Sequence, residues 1–447
     1  MLEKFRYSIW FIVGFFILGG MIFGYELSIL AGADPFIQKA FNMSTSELST
    51  LMGVILLGGI MSKVILVFSD FIGRRTLISI TLLTYILGMY LFSDAQSYYM
   101  LYVGRLFQGA AMTLMAITFN IYLAEVAPVK IRGRMIILLQ LAYTGGMLLA
   151  SVVSLPYSRT GDWRGMFSCI LFVPIILFFF SFLLPQSPRL LFLKGKLEKA
   201  KDVIRKINSK LTPQQLELEI ADLTASFDKH SKKSLWKQYL DPKFIKPILI
   251  VLALYTLDML TGIKAILQAS VVIIDQTGIS SVYVGIIGSI MITAINFIMT
   301  FGTIYFIDRM GRRKLLKIGI GGFVISTISM GIILLLLPDG NLKGWLTIIG
   351  LVVAVGFYAF GPAGVIGVVA TEIIPNRARN LGLVFCGLIS NIIGMIFVSK
   401  FLVIAQDTGY GGLFLSIGIC AIIYFVFCMI VVPETCGKSL EEIEKGL

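Results

Sequence analysis

Asp70-Phe71-Ile72-Gly73-Arg74-Arg75 is a short basic turn between two long apolar segments, and it returns as Asp308-Arg309-Met310-Gly311-Arg312-Arg313, 238 positions later. Other landmarks return at nearly the same distance. Glu125, Pro128 and Arg132 are spaced as Glu372, Pro375 and Arg379 are, 247 positions on; Pro185-Gln186-Ser187 is echoed by Pro433-Glu434-Thr435 after 248. Three landmarks recurring in one order describe one unit written twice. Each stands at the end of an apolar run of membrane-spanning length. The expected structure is therefore two homologous membrane bundles with a pathway between them.

The composition agrees with that reading. Of 447 residues, 57% are hydrophobic and only 14% charged, with a mean hydropathy of +0.90. Such a chain has too little polar surface to cover a water-soluble core, and runs of roughly 20 apolar residues match the hydrocarbon thickness of a bilayer. The first run, Ser8 to Leu30, follows a basic leader, is too long for a signal-peptide core and lacks a small-residue cleavage site, so it reads as a mature helix. The net charge of +13 does not call for nucleic acid, because Lys and Arg cluster in loops beside the spans. Cys169, Cys386, Cys420, Cys428 and Cys436 form no C-x-x-C pair, and His230 is the only histidine. A disulfide, a metal site or a cofactor is not expected.

Apolar runs fall at about residues 8–30, 48–68, 76–93, 99–124, 136–156 and 166–185, then 246–274, 283–307, 315–337, 345–371, 381–405 and 411–432. An exposed backbone in lipid satisfies its own hydrogen bonds as helix, so each run is a predicted transmembrane helix. The division is 1–185 as a first six-helix bundle, 186–245 as a linker, 246–432 as a second bundle and 433–447 as a tail. Basic clusters occupy alternate loops, which by the positive-inside rule puts both termini in the cytoplasm; the mixed loop of Arg159, Asp162 and Arg164 is a mild exception. The linker has helical periodicity over Leu197–Asn208 and Gln214–Phe227 and is too short for a catalytic domain of its own.

These residues resemble a known family. The repeated D-x-x-G-R-R turn, Gly104-Arg105-Leu106-Phe107-Gln108-Gly109, Tyr122-Leu123-Ala124-Glu125-Val126-Ala127-Pro128, Arg132-Gly133-Arg134, Pro185-Gln186-Ser187-Pro188-Arg189 and Pro433-Glu434-Thr435-Cys436-Gly437-Lys438 are similar to the landmarks of the major facilitator superfamily, in its sugar-porter branch. The resemblance covers essentially the whole chain. It implies an all-α membrane protein with 12 transmembrane helices in two pseudo-symmetric six-helix bundles, alternating access, and a central solute site. It also implies a monomeric secondary transporter of a sugar or polyol, driven by protons, not an enzyme. No P-loop is present for ATP drive. A bacterial inner membrane suits the short termini. An uncoupled facilitator or exchanger, and a nutrient sensor on a transporter scaffold, are the rival readings.

An ionisable residue inside a span needs an account. Glu26 stands where the resemblance places the proton-binding carboxylate, with Glu for the usual Asp, and Arg105 stands at its arginine partner. A guanidinium keeps a carboxylate ionised, and its departure favours protonation, which ties a proton to conformational change. A permanent structural ion pair is the plainer alternative. Asp70, Arg74, Glu125 and Arg134 in the first half, and Asp308, Arg312, Glu372 and Arg379 in the second, lie at span ends and are expected to form salt-bridge latches. Lys63, seven residues before Asp70 and about 10 Å along the helix, is expected to snorkel towards the interface, or else to face a cytoplasmic cavity.

The solute site departs from the family pattern. Gln140 and Asn296 match family ligand amides, and the family's Asn/Gln-Trp pair of the eleventh span aligns with Ser390-Asn391, which makes Asn391 a further candidate ligand. Where the family reads Gln-Gln-x-x-Gly-Ile-Asn, this chain reads Asp258-Met259-Leu260-Thr261-Gly262-Ile263-Lys264, and Gln268 replaces the usual tyrosine. The stacking tryptophan of the tenth span aligns with Gly367. Asp258 and Lys264 are thus candidates to bind a charged or zwitterionic solute, or to neutralise each other. On a straight helix they would stand about 120° apart, so pairing needs long reach or a break at Gly262. Gly361-Pro362 reads as a second break, used in gating. Phe23, Tyr25, Tyr143 and Tyr358 read as packing residues before cavity residues.

Overall fold

The computed structural model describes residues 6–67, 72–127, 129–193, 195–207, 242–277, 279, 281–375 and 379–436. The first half comprises α1 (Ile9–Ala40), α2 (Thr45–Val67), α3 (Arg74–Ser93), α4 (Tyr98–Val126), α5 (Val129–Tyr157), α6 (Trp163–Ser168) and α7 (Phe172–Ser181), the last two forming one interrupted span. Two short helices follow, α8 (Pro188–Leu193) and α9 (Leu197–Ile207). The second half has α10 (Pro242–Leu260), α11 (Ile263–Gln276), α12 (Val282–Met310), α13 (Arg312–Leu336), α14 (Asn341–Phe360), α15 (Pro362–Ile373) and α16 (Arg379–Ile430). Among the described residues, eleven stretches are long and apolar enough to cross a membrane, and the last, Leu381–Ile430, is two spans. Gly409 divides it with φ 72° and ψ 160°, a left-handed backbone that only glycine adopts without strain. Twelve spans result.

One helix differs from the hydropathy reading, and two breaks fall where the sequence marks them. The first helix runs on to Ala40, because Asp34 and Pro35, which look like a stop in the sequence, lie inside it and Asp34 is buried. The seventh span breaks at Gly262, whose φ of 68° ends α10 and starts α11 in a new direction. The tenth breaks at Gly361-Pro362, where the proline lacks the N–H that would continue α14. Of the two linker helices, the first is α9; Gln214–Phe227 and His230 lie outside the described residues.

The two halves pack on each other mainly by three pairs: α2 on α16, α5 on α12, and α1 on α11. In span numbers these are 2 with 11, 5 with 8, and 1 with 7. Adding or subtracting six turns the first pair into the second, as a twofold relation between halves requires. Glycines set the approach of the helices that carry the ionisable residues. A Cβ on Gly24 would fall 1.7 Å from the Tyr143 carbonyl oxygen, and one on Gly146 2.0 Å from that of Met21, so α1 and α5 touch backbone to backbone.

The packing is unequal at the two ends of the bundle. One end carries Arg74, Arg75, Arg312 and Arg313 and is called here the basic end. One large apolar core takes in most of the first half together with the parts of the second half remote from that end, such as Val272, Ile273, Phe401 and Phe414. At the basic end the second half has a separate core around Leu254, Leu316, Val369 and Cys428. In their apolar packing the halves share one core at the far end, and the second half keeps a core of its own at the basic end.

Candidate functional site

Two groups of ionisable residues lie within the spans. The first is built on α4. Ser97 caps that helix by accepting the Met100 N–H, and Arg105 follows two turns later on the buried face. Gly104 of α4 lies against Phe92 and Gly88 of α3, where a Cβ would come within 3.1 Å of backbone atoms, so α3 and α4 lie close enough for short polar contacts. Arg105 Nη1 donates to Glu26 Oε1 at 2.6 Å, and both side chains have no exposure at all. Tyr85 of α3 donates its hydroxyl to the other oxygen, Glu26 Oε2, at 3.0 Å. Arg105 Nη1 also reaches Gln108 Oε1 at 3.3 Å. Its Nη2 crosses between halves and donates to Gln268 Oε1 of α11 at 2.9 Å. Gln268 Nε2 in turn donates to the Lys264 carbonyl at 3.2 Å.

Glu26 and Arg105 are thus brought together as expected. Gln268 is not: the sequence reading made it a solute ligand, whereas it is 1% exposed and occupied by the arginine. Tyr85 was missed altogether, since nothing in a single sequence gives the rotational setting of α3 against α1. Asp34 was missed too. It lies eight residues beyond Glu26 on α1, about 12 Å along the axis. It has no exposure, and neither carboxyl oxygen has a hydrogen-bond partner among the described residues.

The second group surrounds a cavity of about 300 Å³ on the basic-end side, between the halves. Lys63 of α2 and Asp258, Tyr358, Gly367 and Asn391 of the second half are among its walls. Asp258 Oδ1 accepts the Tyr358 hydroxyl at 2.9 Å, so this tyrosine, read as a packing residue, is a cavity residue. Although the chain does break at Gly262, no ion pair joins Asp258 to Lys264. Lys63 does not snorkel. It is 7% exposed and faces the cavity, with Nζ beside Gly387 of the second half. Gly367 has open space in front of it, where a Cβ would meet nothing within 4 Å. Asn296 is buried and Gln140 half-buried; neither amide hydrogen-bonds to a described residue, and neither lines this cavity.

The expected latches are found only in part. Arg74 pairs with Glu125 at 3.1 Å, and Ser187 donates to the other oxygen of Glu125. Arg312 pairs with Glu372 at 3.3 Å and with Asp308 at 3.1 Å, while Thr435 donates to Glu372. Glu434 accepts the backbone N–H groups of Arg312 and Arg313. Every one of these pairs lies within one half. Arg134 is exposed and pairs with no described residue, because it lies past the turn on the outer face of α5. Asp70 and the side chain of Arg379 lie outside the described residues.

The family model for "Sugar (and other) transporter" matches residues 13–447. The chain belongs to that family. It is a multi-pass membrane transporter, not an enzyme. Among its relatives, the probable metabolite transport protein CsbC of Bacillus subtilis is 29% identical over 99% of this transporter and 94% of the relative. The arabinose-proton symporter of Escherichia coli K12 is 26% identical, with 96% and 91% covered. Among solved structures, the inward-open conformation of the xylose transporter XylE from E. coli superposes with a TM-score of 0.83 at 23% identity, covering 98% and 99% of the two chains. That likeness establishes the major facilitator fold.

Proposed function

We propose that this transporter carries a small polyhydroxylated solute together with a proton, by alternating access. The proton binds Glu26. Support comes from the contact of Arg105 Nη2 with Gln268, which links the carboxylate of one half to a helix of the other. With Glu26 ionised, the guanidinium is held between Glu26, Gln108 and Gln268. Protonation of Glu26 removes the anion. A buried cation without its counter-ion is unstable by several kcal/mol, so Arg105 shifts towards water or another partner. Because Gln268 is itself a residue of α11, that shift is passed to this helix of the other half.

The same proposal assigns the basic end to the cytoplasm, from the arginine and lysine bias, so the parted cores at that end correspond to an inward-facing state. Both termini are then cytoplasmic and the transporter works as a monomer. A bacterial inner membrane is supported by relatives such as the arabinose-proton symporter of E. coli. The ion pairs within each half hold span ends together while the halves rock. Purified transporter in proteoliposomes with an imposed pH gradient tests the reading. Addition of a carried solute is expected to alkalinise the medium, and a protonophore to abolish accumulation. Equilibration of solute without any pH change would assign an uncoupled facilitator instead.

A further inference from the structure

We infer that the solute is a polyhydroxylated anion, a sugar acid whose carboxylate is held by Lys63, with Lys264 behind the wall adding to the positive field. The inference rests on the transport reading above and narrows its substrate class. Its basis is the charge balance of the cavity. Lys63 comes from the first half and reaches Gly387 of the second, where a Cβ would stand 3.0 Å from Nζ. It is more than nine-tenths buried, yet its ammonium has neither a hydrogen bond nor an ion pair, and its atoms face the cavity. Lys264 is the second residue of α11 and lies one turn before Gln268 on the same face, the face turned to the first half. Its ammonium also makes no ion pair with a described residue, and it lies within electrostatic reach of both Lys63 and Asp258. The nearby acid, Asp258, is engaged by Tyr358. Two ammonium groups therefore face one carboxylate.

Backbone dipoles add to the imbalance. The break at Gly361-Pro362 places the N-terminus of α15 on the cavity wall at Pro362 and Ala363, and the break at Gly262 starts α11 one residue before Lys264. Free N–H groups at helix N-termini favour an anion. With Asp258 set against two ammonium groups, one positive charge is left over in the span, which is costly, and a bound carboxylate balances it. The remaining wall offers Asn391, Ser390 and Tyr255 for hydroxyl groups, while the open space at Gly367 lacks the aromatic face on which a neutral sugar ring would lie. A volume of about 300 Å³ is at the small end for ligand sites, which fits one sugar unit.

Charge movement separates this proposal from neutral-sugar symport. One proton carried with a monoanion moves no net charge, whereas one proton carried with a neutral sugar moves one. In proteoliposomes under a pH gradient, D-gluconate and D-galacturonate are expected to enter at least about tenfold faster than D-glucose and D-xylose, without a transport current. Lys63→Gln and Lys264→Gln are each expected to weaken apparent affinity for the acid by about tenfold or more, and Lys264→Arg to retain it. Binding is read separately by melting of the purified protein in detergent, where gluconate but not glucose raises Tm. Glucose or xylose entering with a current, and unchanged in both glutamine variants, would overturn the assignment. Uptake of glucose 6-phosphate in place of the acids would overturn the carboxylate. A rise in Tm with gluconate but no proton-linked uptake would retain the anion site and remove the symport reading.

Discussion

The two ionisable sites of the membrane core are built on opposite principles. Around Arg105, Glu26 has a partner on each oxygen, and neither side chain touches solvent. At the basic-end cavity, Lys63 makes no ion pair with a described residue, and Asp258 is held by a neutral hydroxyl. A sealed pair with both carboxylate oxygens hydrogen-bonded is suited to storing a proton-dependent switch, because any change in its charge state disturbs the packing around it. An open, unsatisfied cluster is suited to receiving a solute, because its missing partner is supplied from outside. The contrast predicts that substitutions in the first site cost stability and those in the second cost affinity.

The largest effect is expected from Arg105→Met, which leaves Glu26 buried without its cation. A loss of about 3–5 kcal/mol is expected, read as a lower denaturation midpoint in detergent. A shift as small as that of a surface substitution would break the comparison. Next comes Tyr85→Phe, which removes one hydrogen bond to the buried carboxylate, at about 1.5–3 kcal/mol. Asp34→Leu is expected to act in the other direction. Its carboxyl makes no hydrogen bond in the buried wall of α1, and its removal is expected to stabilise by about 1–3 kcal/mol. A lower melting point for Asp34→Leu would mean that the residue has an essential partner. The smallest change is expected for Lys264→Gln, within about 1 kcal/mol of wild type in the absence of solute, since no ion pair is lost.

Much of the fold was legible in the sequence because it is written in spacing. The doubled basic turn, the paired Pro185 and Pro433 landmarks and the length of the apolar runs carry topology, and the breaks at Gly262 and Gly361 were marked by the residues that cause them. The site was less legible because hydropathy gives where a helix crosses but not how it is turned. Tyr85 meets Glu26, Gln268 meets Arg105 and Lys63 faces inwards only through the rotational setting of α3, α11 and α2. Asp34 was hidden for another reason: a charged residue followed by proline reads as the end of a span, although here both continue the helix. The resemblance supplied the Glu26–Arg105 pair, and it misled at Arg134, whose side chain lies outside the bundle.

The central claim is that Glu26 is the carboxylate through which the proton gradient drives the solute. Accumulation and counterflow measured side by side on Glu26→Gln proteoliposomes test it most directly, with D-gluconate or D-xylose as the labelled probe, whichever the wild type carries. Glutamine keeps the size of the side chain but does not exchange protons. The account predicts that accumulation on a pH gradient is lost while counterflow persists near the wild-type rate. Accumulation by Glu26→Gln at the wild-type level would contradict it and place the proton elsewhere in the molecule.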